Sequence, residues 1–107
     1  MEVEFVQVHV TVPSAGLARD IADVLVGERL AACVQVIADI ASTYSWGPEI
    51  ERSQESLLIA KTTLETFDAL AIRVRQLHPY EVPQVTGTPI LAVDAAYAEW
   101  MRSVLRG

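Results

Sequence analysis

The chain has one cysteine, Cys33, and two histidines, His9 and His78, among 107 residues. A lone cysteine excludes an intramolecular disulfide and fits a reducing compartment, so a cytoplasmic location is expected. Basic residues are also scarce: eight Lys and Arg stand against fourteen Asp and Glu, a net charge of −6. Phosphate binding needs a basic footprint, so nucleic acid is not an expected partner. No apolar run approaches the roughly 20 residues of a membrane helix, so no membrane partner is expected. The opening MEVEFVQVHV lacks a basic segment and alternates like a strand, so it reads as part of the fold and not as a signal peptide. There is no Gly-rich phosphate loop, no HExxH, no CxxC, and no nucleophile with an evident base; no enzyme is expected. Repeats, linkers and low-complexity segments are absent as well, and 1–107 reads as a single domain.

What is abundant is apolar surface. The hydrophobic fraction is 51% and the mean hydropathy +0.30, much for a small domain with an unfavourable surface-to-volume ratio. The excess points to an oligomer interface. It concentrates in CVQVIADIASTYSWGPEIERSQESLLIAK, Cys33 to Lys61, two extended runs joined at Trp-Gly-Pro-Glu. Val34, Val36, Ala38, Ile40, Tyr44 and Trp46 alternate, which a period of two places on one face of a strand. Gly47-Pro48 breaks the run, and Pro48 presets a turn angle. Each arm is about twice the usual 5–6 residues of a strand. A domain this small cannot cover such a ribbon; something outside the monomer does.

Elsewhere the periodicities are conventional. Val3 to Val12 reads as a strand with Val6, Val8, Val10 and Val12 on one face and Gln7, His9 and Thr11 on the other. Ser14 caps a helix bearing Leu17, Ile21, Val24 and Leu25 and ending near Gly27. Thr62-Thr63-Leu64-Glu65 fits a capping box for a second helix with Phe67, Leu70, Ala71, Val74 and Leu77 inward, stopped by Pro79. Val82 to Val93, with Pro83 and Pro89, reads as an edge strand interrupted at Gly87. Asp94 caps a last helix carrying Tyr97, Trp100, Met101 and Val104. The order βαββαβ plus a C-terminal helix is α+β, a ferredoxin-like antiparallel sheet with a long β2–β3 hairpin and helices on one face. The face with Gln7, His9 and Thr11 is left for solvent or a partner.

ERLAACVQV at 28–36, S-x-Y-x-W at Ser42, Tyr44 and Trp46, ESLLIAKT ending at Thr62, HPYEVP at His78 to Pro83, and Y-x-x-W at Tyr97 and Trp100 come together in an order that resembles the CutA family. The resemblance implies a divalent-cation tolerance protein. It also implies a homotrimer similar in assembly to PII signalling proteins, whose hairpins reach neighbouring subunits. The chain departs from the common pattern at Gln35, where many members carry Asn, and at Gly27, where an acidic residue is common. Members cited for copper carry further cysteines that this chain lacks.

Each candidate residue carries two readings. Cys33 in its apolar run is a small buried hydrophobe, or a soft copper ligand completed by other donors. His78 closes the second helix against its partial negative charge. Alternatively it joins Glu81, Tyr80, Glu55 and Lys61 in a cleft between subunits, where a His–carboxylate pair takes copper, zinc or another divalent cation and Lys61 holds an anion. Such a mixed group fits a metal ion or a small-molecule ligand. His9 reads as an interface histidine. Tyr44 and Trp46 anchor an interface or stack a ligand, and Trp100 packs in the core or at the interface. Two functions follow: a trimeric binding module taking a divalent ion, or a PII-like signalling or structural trimer with no direct metal role.

Overall fold

β1 (Phe5–Val12) threads the centre of a four-stranded sheet. In the computed structural model, residues 2–106 are described. Val6, Val8, Val10 and Val12 alternate into a dry core, all at 4% exposure or less. α1 (Ala15–Gly27) follows, its end satisfied as anticipated: Ser14 Oγ accepts from Leu17 N at 3.2 Å. β2 (Cys33–Trp46) and β3 (Glu49–Thr63) form the hairpin; α2 (Phe67–Leu77), β4 (Thr86–Ile90) and α3 (Ala95–Val104) complete the chain. The strand order is β2-β3-β1-β4, antiparallel throughout, with β4 at an edge. This is the βαββαβ ferredoxin-like arrangement with a C-terminal helix. α1 and α2 lay Ile21, Leu25, Leu70 and Val74 against the β1 valines and against Leu58 and Ala60 of β3.

The hairpin dominates the shape. Its arms of 14 and 15 residues stretch the molecule to 45 Å, against 29 and 22 Å in the other directions. Gly47 turns the tip with φ +61°, a conformation open to glycine at no steric cost. One feature departs from simple alternation. Between the pairs Ile37↔Leu57 and Ile40↔Glu55, β2 advances three residues while β3 advances two. The extra residue is a bulge at Ala38-Asp39, with Asp39 at φ +60°. A bulge reverses the phase, so Val34 and Val36 face the helices, whereas Ile40, Ser42, Tyr44 and Trp46 stand on the opposite, open face. The expectation that all six apolar positions share one face is thereby corrected.

Other boundaries differ for local reasons. β3 runs through Thr62, whose hydroxyl donates to Leu30 O at 2.7 Å in a fully buried setting. Thr62 is therefore a staple between β3 and the α1–β2 connection, not a helix cap. A turn intervenes, and Thr63 Oγ1 accepts from Thr66 N at 3.1 Å in its place. The fourth strand shrinks to Thr86–Ile90; the 82–85 segment is a loop. Gly87 is paired with Val8 beneath Phe67, where a Cβ would lie 3.2 Å from the ring.

The open face is also less bare than expected. Phe5 projects from β1 onto it and is covered by Ala98 and Met101 of α3 and by Leu105. Asp94 caps α3, Oδ2 accepting from Ala96 N and Tyr97 N. Arg29, at φ +62°, donates to Ser103 O and Val104 O and locks the helix end. Ala98 and Met101, not Tyr97 and Trp100, carry the burial; the two aromatic rings remain partly exposed, in tilted contact with centroids 5.3 Å apart. α3 covers only the end of this face near Phe5. The hairpin half beyond the bulge is uncovered.

Candidate functional site

Beyond the bulge, the open face pairs Ile40 with Glu55, Ser42 with Ser53, Tyr44 with Glu51 and Trp46 with Glu49. Acidic β3 residues thus stand beside aromatic β2 residues. β4 stops opposite His9, so β1 beyond it has no strand on that side. The 78–85 loop lies there instead. Pro79 forces His78 out of the helix, at φ −88° and ψ 137°. The His78 ring then closes the gap, with Nε2 at 2.8 Å from Thr11 O and Nδ1 accepting from Tyr80 N at 3.1 Å. A carbonyl only accepts, so the proton sits on Nε2 and the Nδ1 lone pair is already used. His78 is a buried staple between loop and strand, not a helix-end charge.

The staple aims Tyr80 across the strand edge. Its hydroxyl donates to Glu55 Oε2 at 3.2 Å, and its ring lies 4.7 Å from that of His78. Burial, and then the adjacent Glu55 carboxylate, push the Tyr80 phenol above its ordinary range. Hairpin and loop enclose a cleft of about 880 Å³ walled by Tyr44, Trp46, Glu51, Glu55, Tyr80 and Glu81, with Thr11 and Ser42 in its lining. No Lys, Arg or His lies among the lining residues. Glu55 is only 7% exposed and no cation is paired with it among the described residues. Burial of a carboxylate without a positive partner is costly. Ser53 Oγ, across from Ser42, is buried with no hydrogen-bond partner.

Of the residues expected to act together, Glu55, Tyr80 and Glu81 line this cleft, and His78 buttresses it. Cys33 and Lys61 do not join them. They pair with each other at the far end of the hairpin, four residues from the Ile37↔Leu57 pair, about 13 Å along the strand. Lys61 Nζ donates to Gln35 Oε1 at 3.1 Å. Cys33 is half-buried beside Tyr97, whose phenol is pushed up by burial and by Cys33. Among the described residues no three His, Cys, Asp or Glu groups converge as a metal cage would require. His9 is half-buried on the open face. Trp46 is 70% exposed, and Tyr44 and Trp100 are also exposed. Sequence reasoning missed Glu51, Ser42 and Thr11. Glu51 was findable, being four residues before Glu55 and so on the same strand face.

The geometry defines a ferredoxin-like domain, with a cleft between the outer half of an extended hairpin and the 78–85 loop. The family model of the CutA1 divalent ion tolerance protein matches residues 6–104, and the chain belongs to that family. It is 46% identical over 95 residues to the divalent-cation tolerance protein CutA of Thermus thermophilus, covering 89% of this chain and 92% of that one. Protein CutA of Homo sapiens is 41% identical over 95 residues, covering 89% of this chain; the match spans 53%, about half, of the human protein. The crystal structure of CutA1 from the psychrotrophic bacterium Shewanella sp. SIB1 superposes with a TM-score of 0.96 at 33% identity, covering 100% of both chains. The family is described by tolerance of divalent ions. No helix among the described residues is long and apolar enough to cross a membrane.

Proposed function

We propose that the chain is a divalent-cation tolerance protein that works as a homotrimer and binds its ligand in the hairpin cleft, at the border with a neighbouring subunit. The observation that carries this reading is Glu55: a nearly buried carboxylate without a cation, in a cleft walled by two further glutamates and no basic side chain. Copper or another divalent ion is the ligand in this reading. Glu81 and Glu55 supply oxygens, and donors from a second subunit complete the shell. Cys33 stands as a ligand only if assembly brings it to another subunit's His78 or Glu81, and His78 only if it gives up one of its two hydrogen bonds. Tyr44, Trp46 and Trp100, exposed in one subunit, are the interface anchors. The net charge of −6 supports a protein without a nucleic-acid partner, and the single cysteine supports a cytoplasmic one.

A second reading has its own support. No three-donor cluster exists among the described residues, which favours a PII-like signalling or structural trimer that binds a small molecule or a partner protein. Calorimetric titration with copper and zinc chloride separates the two. Saturable binding near one ion per subunit, lost in Glu81→Gln and in His78→Ala, supports the metal reading. Weak, unsaturable heat equal in all three proteins overturns it.

A further inference from the structure

The open face of the sheet carries opposite charges at its two ends and apolar side chains between them. At the outer end stands Glu55, with Glu51 and Glu49 further along β3 on the same side. At the root stands Lys61, the chain's only lysine, also on that side and cross-strand from Gln7 of β1 and Cys33 of β2. Ile37, Leu57 and Ile59 lie between the two. Glu55 is 7% exposed, accepts from Tyr80, and has no cation beside it among the described residues. Closing this face with a neighbouring copy removes the remaining water and makes an unpaired carboxylate costlier. The neighbour must bring a positive group to Glu55.

Few groups in the chain fit that role. Arg29, Arg73 and Arg102 are held by carbonyl or carboxylate oxygens of their own subunit. Arg19 and Arg75 lie on the helices behind the sheet, and Arg52, cross-strand from Thr43, is on the other side of the hairpin. The basic side chains on the open face are His9 and Lys61, and a lysine is the stronger base. Lys61 is half-buried and held only by the Gln35 side-chain oxygen at 3.1 Å. Within one subunit it stands six residues from Glu55 along β3, about 20 Å, too far to pair.

We infer that in the assembled protein Lys61 of each subunit reaches Glu55 of the next. Every subunit then gives one ammonium group and receives one, and a closed ring leaves no charge over. The inference rests on the homotrimer common to both readings of function. It favours the second, because a Glu55 engaged by Tyr80 and Lys61 is no longer a free metal donor.

The test is a double-mutant cycle on assembly. The full chain, Glu55→Gln, Lys61→Met and the double variant are compared by sedimentation equilibrium, with circular dichroism to check each fold. Each single replacement is expected to weaken the trimer at least about tenfold, because it leaves the other charge buried and alone. The double variant is expected to be no weaker than the weaker single one. Sites about 20 Å apart in one subunit do not couple, so this non-additivity reads a contact between subunits. Single variants that assemble like the parent, or a double variant showing the product of both losses, overturn the pair and leave the trimer standing. A parent that sediments as one subunit removes trimer and pair together. Carbodiimide coupling on the parent needs no variant: it joins adjacent amine and carboxylate groups as amides, and a single lysine makes the product unambiguous. Peptide mass spectrometry is expected to find Lys61 joined to Glu55 of another chain. Lys61 joined instead to Glu51 or Glu81, or not joined at all, overturns the pair.

Discussion

Replacing Thr62 by Val tests the connection on which the hairpin is anchored. Thr62 is fully buried, and its hydroxyl donates to Leu30 O at 2.7 Å, joining β3 to the chain between α1 and β2. Valine keeps the volume and removes the donor, so a buried carbonyl loses its partner in apolar surroundings. An orphaned buried acceptor costs about 1–3 kcal/mol. At about 2 kcal/mol the folding equilibrium falls roughly 30-fold. With a urea dependence of about 2 kcal/mol per molar for a domain of this size, the midpoint drops by roughly 1 M. Chemical denaturation followed by circular dichroism, at fixed protein concentration because assembly contributes to stability, reads this directly. Thr62→Ser keeps the hydroxyl and loses one methyl, so it costs about 1 kcal/mol. Glu65→Ala changes stability by less than about 0.5 kcal/mol, because no hydrogen bond to Glu65 exists among the described contacts. A Thr62→Val protein as stable as the parent, or a large loss in Glu65→Ala, refutes the staple and restores a capping box.

Three further outcomes are expected. The Tyr80 phenol titrates above the ordinary tyrosine value, and Glu55→Gln moves it back toward that value; ultraviolet difference titration of both proteins checks this. The Glu4 and Glu28 carboxyls are held below the ordinary range by hydrogen bonds from Arg102 and Arg73 respectively. Their folded values lie below their unfolded values, so their contribution to stability is present above about pH 4.3 and fades as pH falls through the folded values; NMR titration shows Glu4 returning to the ordinary value in Arg102→Met. Asp39→Val costs about 1–2 kcal/mol because a β-branched residue resists φ +60°, whereas Asp39→Gly does not destabilise; thermal melts of the two variants decide.

Much of the fold was legible because its signals are local. The β1 valines, the Ser14 and Asp94 caps, the Pro79 stop and the Trp-Gly-Pro-Glu turn all act within a few residues. The bulge at Asp39 was not legible, since aspartate in a polar-apolar alternation carries no mark of a left-handed backbone, and one added residue reversed every later side chain. The Thr62 staple was hidden by a sequence that also satisfies a capping box; the partner, Leu30, lies 32 residues away. In the site, the aromatic and acidic positions were visible, and Glu55, Tyr80 and Glu81 do share a cleft. Within one subunit, the antiparallel register puts Cys33 and Lys61 at the opposite end of the hairpin from these three, so any meeting with them takes place between subunits.

The account depends most on the hairpin's uncovered face being closed by other copies of the chain. Sedimentation equilibrium at micromolar concentration measures this, with one subunit weighing 11.7 kDa. The account predicts a single species of three times that mass, and partial dissociation when Trp46 is replaced by a charged residue. A species at the mass of one subunit would contradict it.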